Sequence, residues 1–185
     1  TRSCFSALQM LHQSGELGLR VIKSIPLDDL PYAVGVGLRT GFGDDFLRIG
    51  PVKAFADGAL GPRTAAMLQP YEGEAAGQGM LMLDAEELFE RGRLAVENGL
   101  SLAVHAIGDC ANHEVLNAYS QLRQVVDAAH TSLRHRIEHV QLLHPQDVAR
   151  LAELGVVASM QPIHATSDMV MAERHWGDRS ALSYA

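Results

Sequence analysis

Apolar and polar positions along the chain follow two alternating periods. Residues 4–15 (CFSALQMLHQSG) carry apolar side chains at helical spacing and stop at Gly15. The run LGLRVIKSI (17–25) reads as a strand that stops at Pro26. Residues 27–50 hold several glycines and no clean period, which predicts a short helix and a loop. PVKAFADG (51–58) reads as a short buried strand closed by a glycine turn. Residues 59–80 mix Pro, Gly and polar residues without a period, and a loop of that length in a compact domain is as a rule functional or mobile. From Asp84 the period is helical, with an acidic first turn and a stop at Gly99. SLAVHAIGD (101–109) predicts a strand, 111–128 a helix and LRHRIEHVQ (133–141) a strand. A helix over 144–155 follows, with Pro145 in its first turn and Gly155 as its cap. VVASMQP (156–162) predicts a further strand, and 168–184 is partly helical.

Strands that alternate with helices predict an α/β fold with parallel strands and right-handed crossovers. An open doubly wound sheet and a (β/α)8 barrel both fit. A complete barrel takes about 250 residues; this chain has 185 and five predicted strands. It has no internal repeat and no interdomain linker, so residues 1–185 read as a single domain.

Composition narrows the function classes. The chain is 47% apolar and 20% charged, the profile of a soluble globular protein. Its net charge of −7, with acidic residues spread along the chain, argues against nucleic acid or an anionic membrane as partner. No apolar run approaches the ~20 residues that span a bilayer. Cys4 and Cys110 stand in no metal or redox spacing; read as free thiols, they suit a reducing, cytoplasmic compartment. No signal peptide is visible at residue 1, but the chain opens inside a helical pattern, so the start of the natural protein is expected to lie upstream. No G-x-G-x-x-G follows a strand, and there is neither a P-loop nor a G-x-S-x-G elbow, so dinucleotide binding and serine hydrolysis lack support.

In parallel α/β folds the active site lies at the carboxyl ends of the strands. There the sequence places Lys53 and Asp57, His105 and Asp109, His139 and Gln141, and Gln161 with His164. A single histidine in an apolar strand is more often a core residue hydrogen-bonded to a carbonyl. Two on consecutive strand ends shift the balance, because neutral imidazoles from adjacent strands can converge on one zinc-like ion. Lys53 is one of only two lysines against thirteen arginines, and it sits in an apolar run. A buried ammonium needs an anion or a lowered pKa. A salt bridge to Asp57 or Glu138, a Schiff base, and a carbamate formed with carbon dioxide would each satisfy it. His12, His113, His130 and His175 read as surface residues, His135 lies early in its strand, and His144 heads a helix.

The strings VKAFADGALGPRTAAMLQPY, HAIGD, RHRIEHVQ, ASMQPIH and DRSALSYA occur in this order and at suitable spacing. Together they resemble the metal-dependent amidohydrolase superfamily, in the amidohydrolase family 3 branch, whose members include deformylases of N-substituted formamides. The resemblance runs from about residue 7 to the end. It implies a TIM-type barrel that binds one or two divalent ions, most often zinc, and hydrolyses amide-type, non-peptide C–N bonds of a small-molecule substrate. By match, Lys53 is the fourth-strand ligand, as a carbamate, and His105 and His139 are the ligands of the fifth and sixth strands. Gln161 and His164 fall on the seventh-strand motif, at substrate. Asp57, Arg63 and Tyr71 are further candidates for substrate contact. The family's H-x-H pair does not precede Lys53, no S-D-A-P-like segment with the general-base aspartate follows Tyr184, and Cys110 stands where an arginine is common. The chain is therefore expected to correspond to about strands 3 to 7, an incomplete catalytic barrel domain without substantial activity alone. Its open strand edges would allow a homo-oligomer. The rival readings are a folding or interface unit without activity, and a lysine Schiff-base enzyme.

Overall fold

The computed structural model describes residues 2–125 and 133–183. Its elements are α1 (Arg2–Gln13), β1 (Val21–Pro26), α2 (Leu30–Gly35), β2 (Leu47–Phe55), α3 (Ala85–Glu97), β3 (Leu102–Ala106), α4 (Asp109–Val125), β4 (Arg136–His139), α5 (Val148–Leu154), β5 (Val157–Ser159), α6 (His164–Ser167) and α7 (Met169–Trp176). Short 3-10 turns at Leu27–Asp29, Pro145–Asp147 and Gly177–Leu182 precede α2 and α5 and follow α7. His130 and the predicted end of the 111–128 helix lie outside the described residues.

The five strands form one sheet in the order β1-β2-β3-β4-β5, and every neighbouring pair is parallel. A doubly wound sheet reverses its strand order at a switch point. This sheet never reverses, so the molecule is part of a (β/α)8 barrel. Side chains alternate across the strands. Val52, Ala54, Leu102, Val104, Ala106 and Ile137 face the helices, in one core with Leu88 and Val96 of α3 and Val115, Leu116 and Leu122 of α4. Full burial of each larger apolar side chain contributes about 1.5–3 kcal/mol. Lys53, Phe55, His105 and Glu138 occupy the intervening positions on the opposite, concave face. The alternation thus carries the chemistry on the face that the core leaves free.

Helix ends follow their local chemistry. Asp84 caps α3 by accepting from Glu87 N, and Gly155 ends α5 in the left-handed region at φ 67°. Strand β2 starts at Leu47 rather than at the predicted residue 51, because a bulge absorbs Pro51. Lys23 pairs with Ile49 and Ile25 with Val52, so β2 carries an extra residue at Gly50-Pro51. A Cβ on Gly50 would lie 2.7 Å from Ile22 Cγ2. The strands predicted over 17–25, 101–109, 133–141 and 156–162 are each shorter: the first loses residues 17–20 at its start, and the other three end early, where the chain leaves the ladder to build the rim.

The 59–80 segment has no regular structure, as its composition predicts, yet it is packed. Leu60, Ala65, Met67 and Tyr71 join Ile107, Leu142, Ala172 and Trp176 in a second core. Arg179 donates to Gln69 O at 3.0 Å and Pro70 O at 2.6 Å, tying the segment to the chain after α7. Among the described residues no helix is long and apolar enough to cross a membrane.

His135 shows how burial couples this fold to pH. Its Nδ1 accepts from Leu102 N at 3.1 Å, joining β3 to the approach to β4. Burial pushes its pKa from 6.5 down to about 4. The unfolded chain therefore binds this proton first as pH falls, and the contribution present above pH 6.5 is lost as pH drops toward 4. Urea unfolding at pH 7 and pH 5.5 should show that His135→Gln removes roughly 1 kcal/mol of the wild-type acid sensitivity. An unchanged pH dependence would refute this coupling.

Candidate metal centre

Register brings the three sequence-predicted ligands to one rim. Lys53 of β2 pairs with Ala103, Phe55 with His105, and Ala106 with His139. The His105 and His139 rings meet edge to face, with centroids 4.6 Å apart. His164, at the start of α6, lies 5.7 Å from His139. Lys53 Nζ donates to Ala54 O at 3.0 Å and lies 4.1 Å from the centre of the Phe55 ring.

Burial disfavours every cationic form here. His105 is held down to about 4, first by desolvation and then by His139 and Lys53, against an opposing hydrogen bond to Gly58. His139 is lowered by burial, with Gln161 opposing and His164 adding to the shift. Lys53 is lowered from 10.5 to about 8, again by desolvation; Glu138 opposes that shift and Arg136 adds to it. Glu138 is itself paired with Arg136 at 2.5 Å. Lys53 thus has no dedicated carboxylate, and its amine is neutral more readily than an exposed lysine's.

These groups suit a cation. His105 Nε2 donates to Gly58 O at 2.6 Å, which leaves Nδ1 as the lone pair of the neutral ring. Nδ1 of His139 is buried without a hydrogen-bond partner. Among the described residues no three His, Cys, Asp or Glu side chains are grouped to hold an ion. An ion between the two imidazoles would therefore draw on Lys53, either as a neutral amine or carboxylated by carbon dioxide to an anionic carbamate with release of a proton.

The backbone around the candidate ligands is held by buried polar residues, of which Asp57 also lies 3.5 Å from His105 Nε2. Asp57 is fully buried, and its carboxylate accepts from Ala66 N at 3.0 Å, Ile107 N at 3.0 Å and Gly108 N at 2.8 Å. Those donors come from the β2–α3 loop and from the turn after β3, so one side chain joins two rim loops. Burial raises Asp57 to about 6 against the pull of the three donors. A Cβ on Gly108 would fall 1.9 Å from Ala66 O, so no other residue fits this approach. Asn112, fully buried in α4, donates through Nδ2 to Gly108 O at 2.9 Å and Leu142 O at 3.1 Å, joining the turns after β3 and β4. After β4 the chain turns through His139 at φ 76° and Val140 at φ 52°. Such left-handed geometry costs a β-branched residue on the order of 1–3 kcal/mol and concentrates at functional sites.

The structure separates the remaining predicted residues. Gln161 lies beside His139, its Nε2 donating to Ser159 O at 3.0 Å. Asp57 and Tyr71, expected at substrate, are instead buried supports, because backbone groups take up their polar atoms; Tyr71 Oη donates to Ala65 O at 2.8 Å. Arg63 pairs with Glu74 within the 59–80 segment. Asp109, expected at a strand end, opens α4 and accepts from Leu68 N at 2.9 Å. Gln141, also expected there, is buried and donates to Asp168 Oδ2 at 3.0 Å. Sequence reasoning missed Asn112, which has no distinguishing local pattern, and Asp168, between α6 and α7, whose i,i+4 spacing to His164 was the available signal. Asp57→Ala should lower the unfolding free energy by about 3 kcal/mol, since it leaves buried N–H groups unpaired. Denaturant unfolding measures this, and a loss below ~0.5 kcal/mol would return Asp57 to the substrate contacts.

Parallel β/α units that bring neutral imidazoles and a half-buried lysine to their carboxyl rim define part of a TIM-type barrel of the metal-dependent hydrolase kind. The chain belongs to the amidohydrolase family, whose sequence profile matches residues 2–184. Protein LONG AFTER FAR-RED 3 of Arabidopsis thaliana is 36% identical over 140 residues, 75% of this chain and 23% of that protein. N-substituted formamide deformylase of Arthrobacter pascens is 32% identical over 110 residues, 60% of this chain and 19% of that one. The crystal structure of an uncharacterized metal-dependent hydrolase from Pyrococcus furiosus superposes with a TM-score of 0.85 at 32% identity, covering 97% of this chain and 36% of that one. The chain thus spans about a quarter of the length of the curated relatives it matches.

Proposed function

We propose that the protein hydrolyses amide-type, non-peptide C–N bonds of small molecules, with Lys53, His105 and His139 as ligands of one or two divalent ions. The observation that carries this reading is the pair of neutral, partly buried imidazoles 4.6 Å apart beside the rim lysine. Zinc suits the nitrogen donors, and when bound it supplies a water of lowered pKa and polarises a carbonyl. The chain's own residues do the rest. Burial keeps both imidazoles unprotonated at neutral pH, so their lone pairs are available. Lys53, lowered to about 8, is nucleophilic enough to take up carbon dioxide and become an anionic ligand. Gln161 and His164 stand beside His139, where a substrate amide would lie. Similarity to a formamide deformylase supports the bond type.

The lowered Lys53 also favours a second reading, a Schiff-base enzyme, because a neutral amine attacks carbonyls. One set of experiments separates the two. Zinc titration by calorimetry in bicarbonate buffer should show binding that weakens at least tenfold in His105→Ala and in His139→Ala, and weakens in Lys53→Met. Binding unaffected by all three substitutions overturns the metal reading. Borohydride trapping of a carbonyl compound on Lys53 would establish the Schiff base instead.

A further inference from the structure

Beside His139, the chain after β5 builds an arrangement that a metal ligand set does not require. His164 Nδ1 lies 2.6 Å from Asp168 Oδ2, and the same oxygen accepts from Gln141 Nε2 at 3.0 Å. Ser167 Oγ donates to the other carboxylate oxygen at 2.8 Å. Gln141 is 1% exposed and follows β4, whereas Asp168 follows α6, so the carboxylate is gripped by two separate parts of the chain. The donors from Ser167, Gln141 and His164 keep Asp168 ionised, below the usual carboxylate value, although burial opposes them. An ionised carboxylate only accepts, so the proton between the two residues lies on His164 Nδ1. In the neutral ring that leaves His164 Nε2 as the lone pair, and among the described residues it has no hydrogen-bond partner. The His164 side chain is 26% exposed, so a ligand can reach it. Three residues earlier, Gln161 Oε1 is buried with no donor. Two acceptors without donors thus stand beside His139.

We infer that Asp168 and Gln141 are positioning residues that fix His164 as its Nδ1–H tautomer, so that His164 Nε2, with Gln161 Oε1, selects substrates bearing an N–H next to the carbonyl: secondary rather than tertiary amides. Such acceptors discriminate, because a ligand without the donor displaces water from His164 Nε2 and leaves that lone pair, with the buried Gln161 Oε1, unmatched. The substrate selection rests on the hydrolase reading above; the tautomer does not.

Two-bond proton–nitrogen NMR of the imidazole-labelled chain tests both parts. In the wild type His164 should show a protonated Nδ1 and a bare Nε2. Asp168→Ala should shift it toward the Nε2–H form or a mixture, and Asp168→Asn, whose carbonyl oxygen still accepts, should restore the wild-type pattern. Titration with N-methylacetamide should move the His164 Nε2 resonance several-fold more than N,N-dimethylacetamide. An Nε2–H tautomer in the wild type, or equal responses to the two amides, overturns the inference. Neither readout needs zinc. Failure to bind zinc with the expected tautomer in place therefore counts against the metal reading alone, and zinc binding with an Nε2–H His164 counts against the positioning pair alone.

Discussion

The arrangement of this rim depends on one buried carboxylate. Asp57 sits just beyond the end of β2, and its oxygens gather amides from the β2–α3 loop and from the turn that follows β3. Without it the two loops would, among the described residues, be tied only through the Ala66 carbonyl, the Leu68–Asp109 bond and their apolar contacts, and the turn after His105 would bury unpaired N–H groups. Charge-assisted hydrogen bonds of this kind are about twice as strong as neutral ones, which is how a single side chain can impose a loop geometry. His105 then inherits its orientation, because its Nε2 donates to Gly58, the residue after Asp57. Asn112 extends the same frame to the turn after β4. The proposed metal ligands are thus fixed by residues outside the proposed ligand set.

That division explains what the sequence could and could not reveal. Lys53, His105 and His139 were legible because each interrupts an apolar strand pattern with a titratable group, at positions that parallel topology sends to one end. The barrel class was legible from the alternation of periods, although periodicity alone left the doubly wound alternative open until the unreversed strand order decided it. Asp57 was legible as a residue of the rim but not in its role, since a carboxylate at a strand end looks the same whether it meets a substrate or three amides. Asn112 and Asp168 were missed. Their bonds to Leu142 and Gln141 join distant segments that no local spacing encodes, whereas the i,i+4 spacing of His164 and Asp168 was a readable signal. The left-handed turn at His139–Val140 was also invisible, because Val is among the last residues that propensity would place there.

The strained turn and the buried network belong together. A left-handed valine persists only where the surroundings hold it, and here Val140 N donates to Ala106 O at 3.1 Å while Leu142 N donates to Ile107 O at 2.9 Å. These bonds carry the hydrogen-bonding of β3 and β4 past the end of the strands proper. The turn lets His139 remain at the rim while Gln141, two residues on, points back into the molecule to meet Asp168. A regular strand would place residues 139 and 141 on the same face, and the link to the chain after β5 would be lost. The conformational cost therefore supports two functions at once: the orientation of one imidazole and the anchoring of another.

The electrostatics of the rim point the same way. Protonated, Lys53, His105 and His139 would bring three positive charges to one rim, faced by Asp57, which lies 3.5 Å from His105 Nε2 but is committed to backbone amides, and by Glu138, already engaged by Arg136. The desolvation that burial imposes on all three is an unfavourable term that stability alone would select against, since apolar residues at these positions would pack at no such cost. What the arrangement gains is a cluster of uncharged nitrogen donors whose lone pairs are not consumed by protons at neutral pH. Such a cluster has no electrostatic need of an anion, and it is complementary to a single added cation. The acceptors of His164 and Gln161 extend the same character one step outward. A small molecule that meets both parts would present its carbonyl toward the imidazole pair and its N–H toward the acceptors, which is the polarity of one amide group read from end to end.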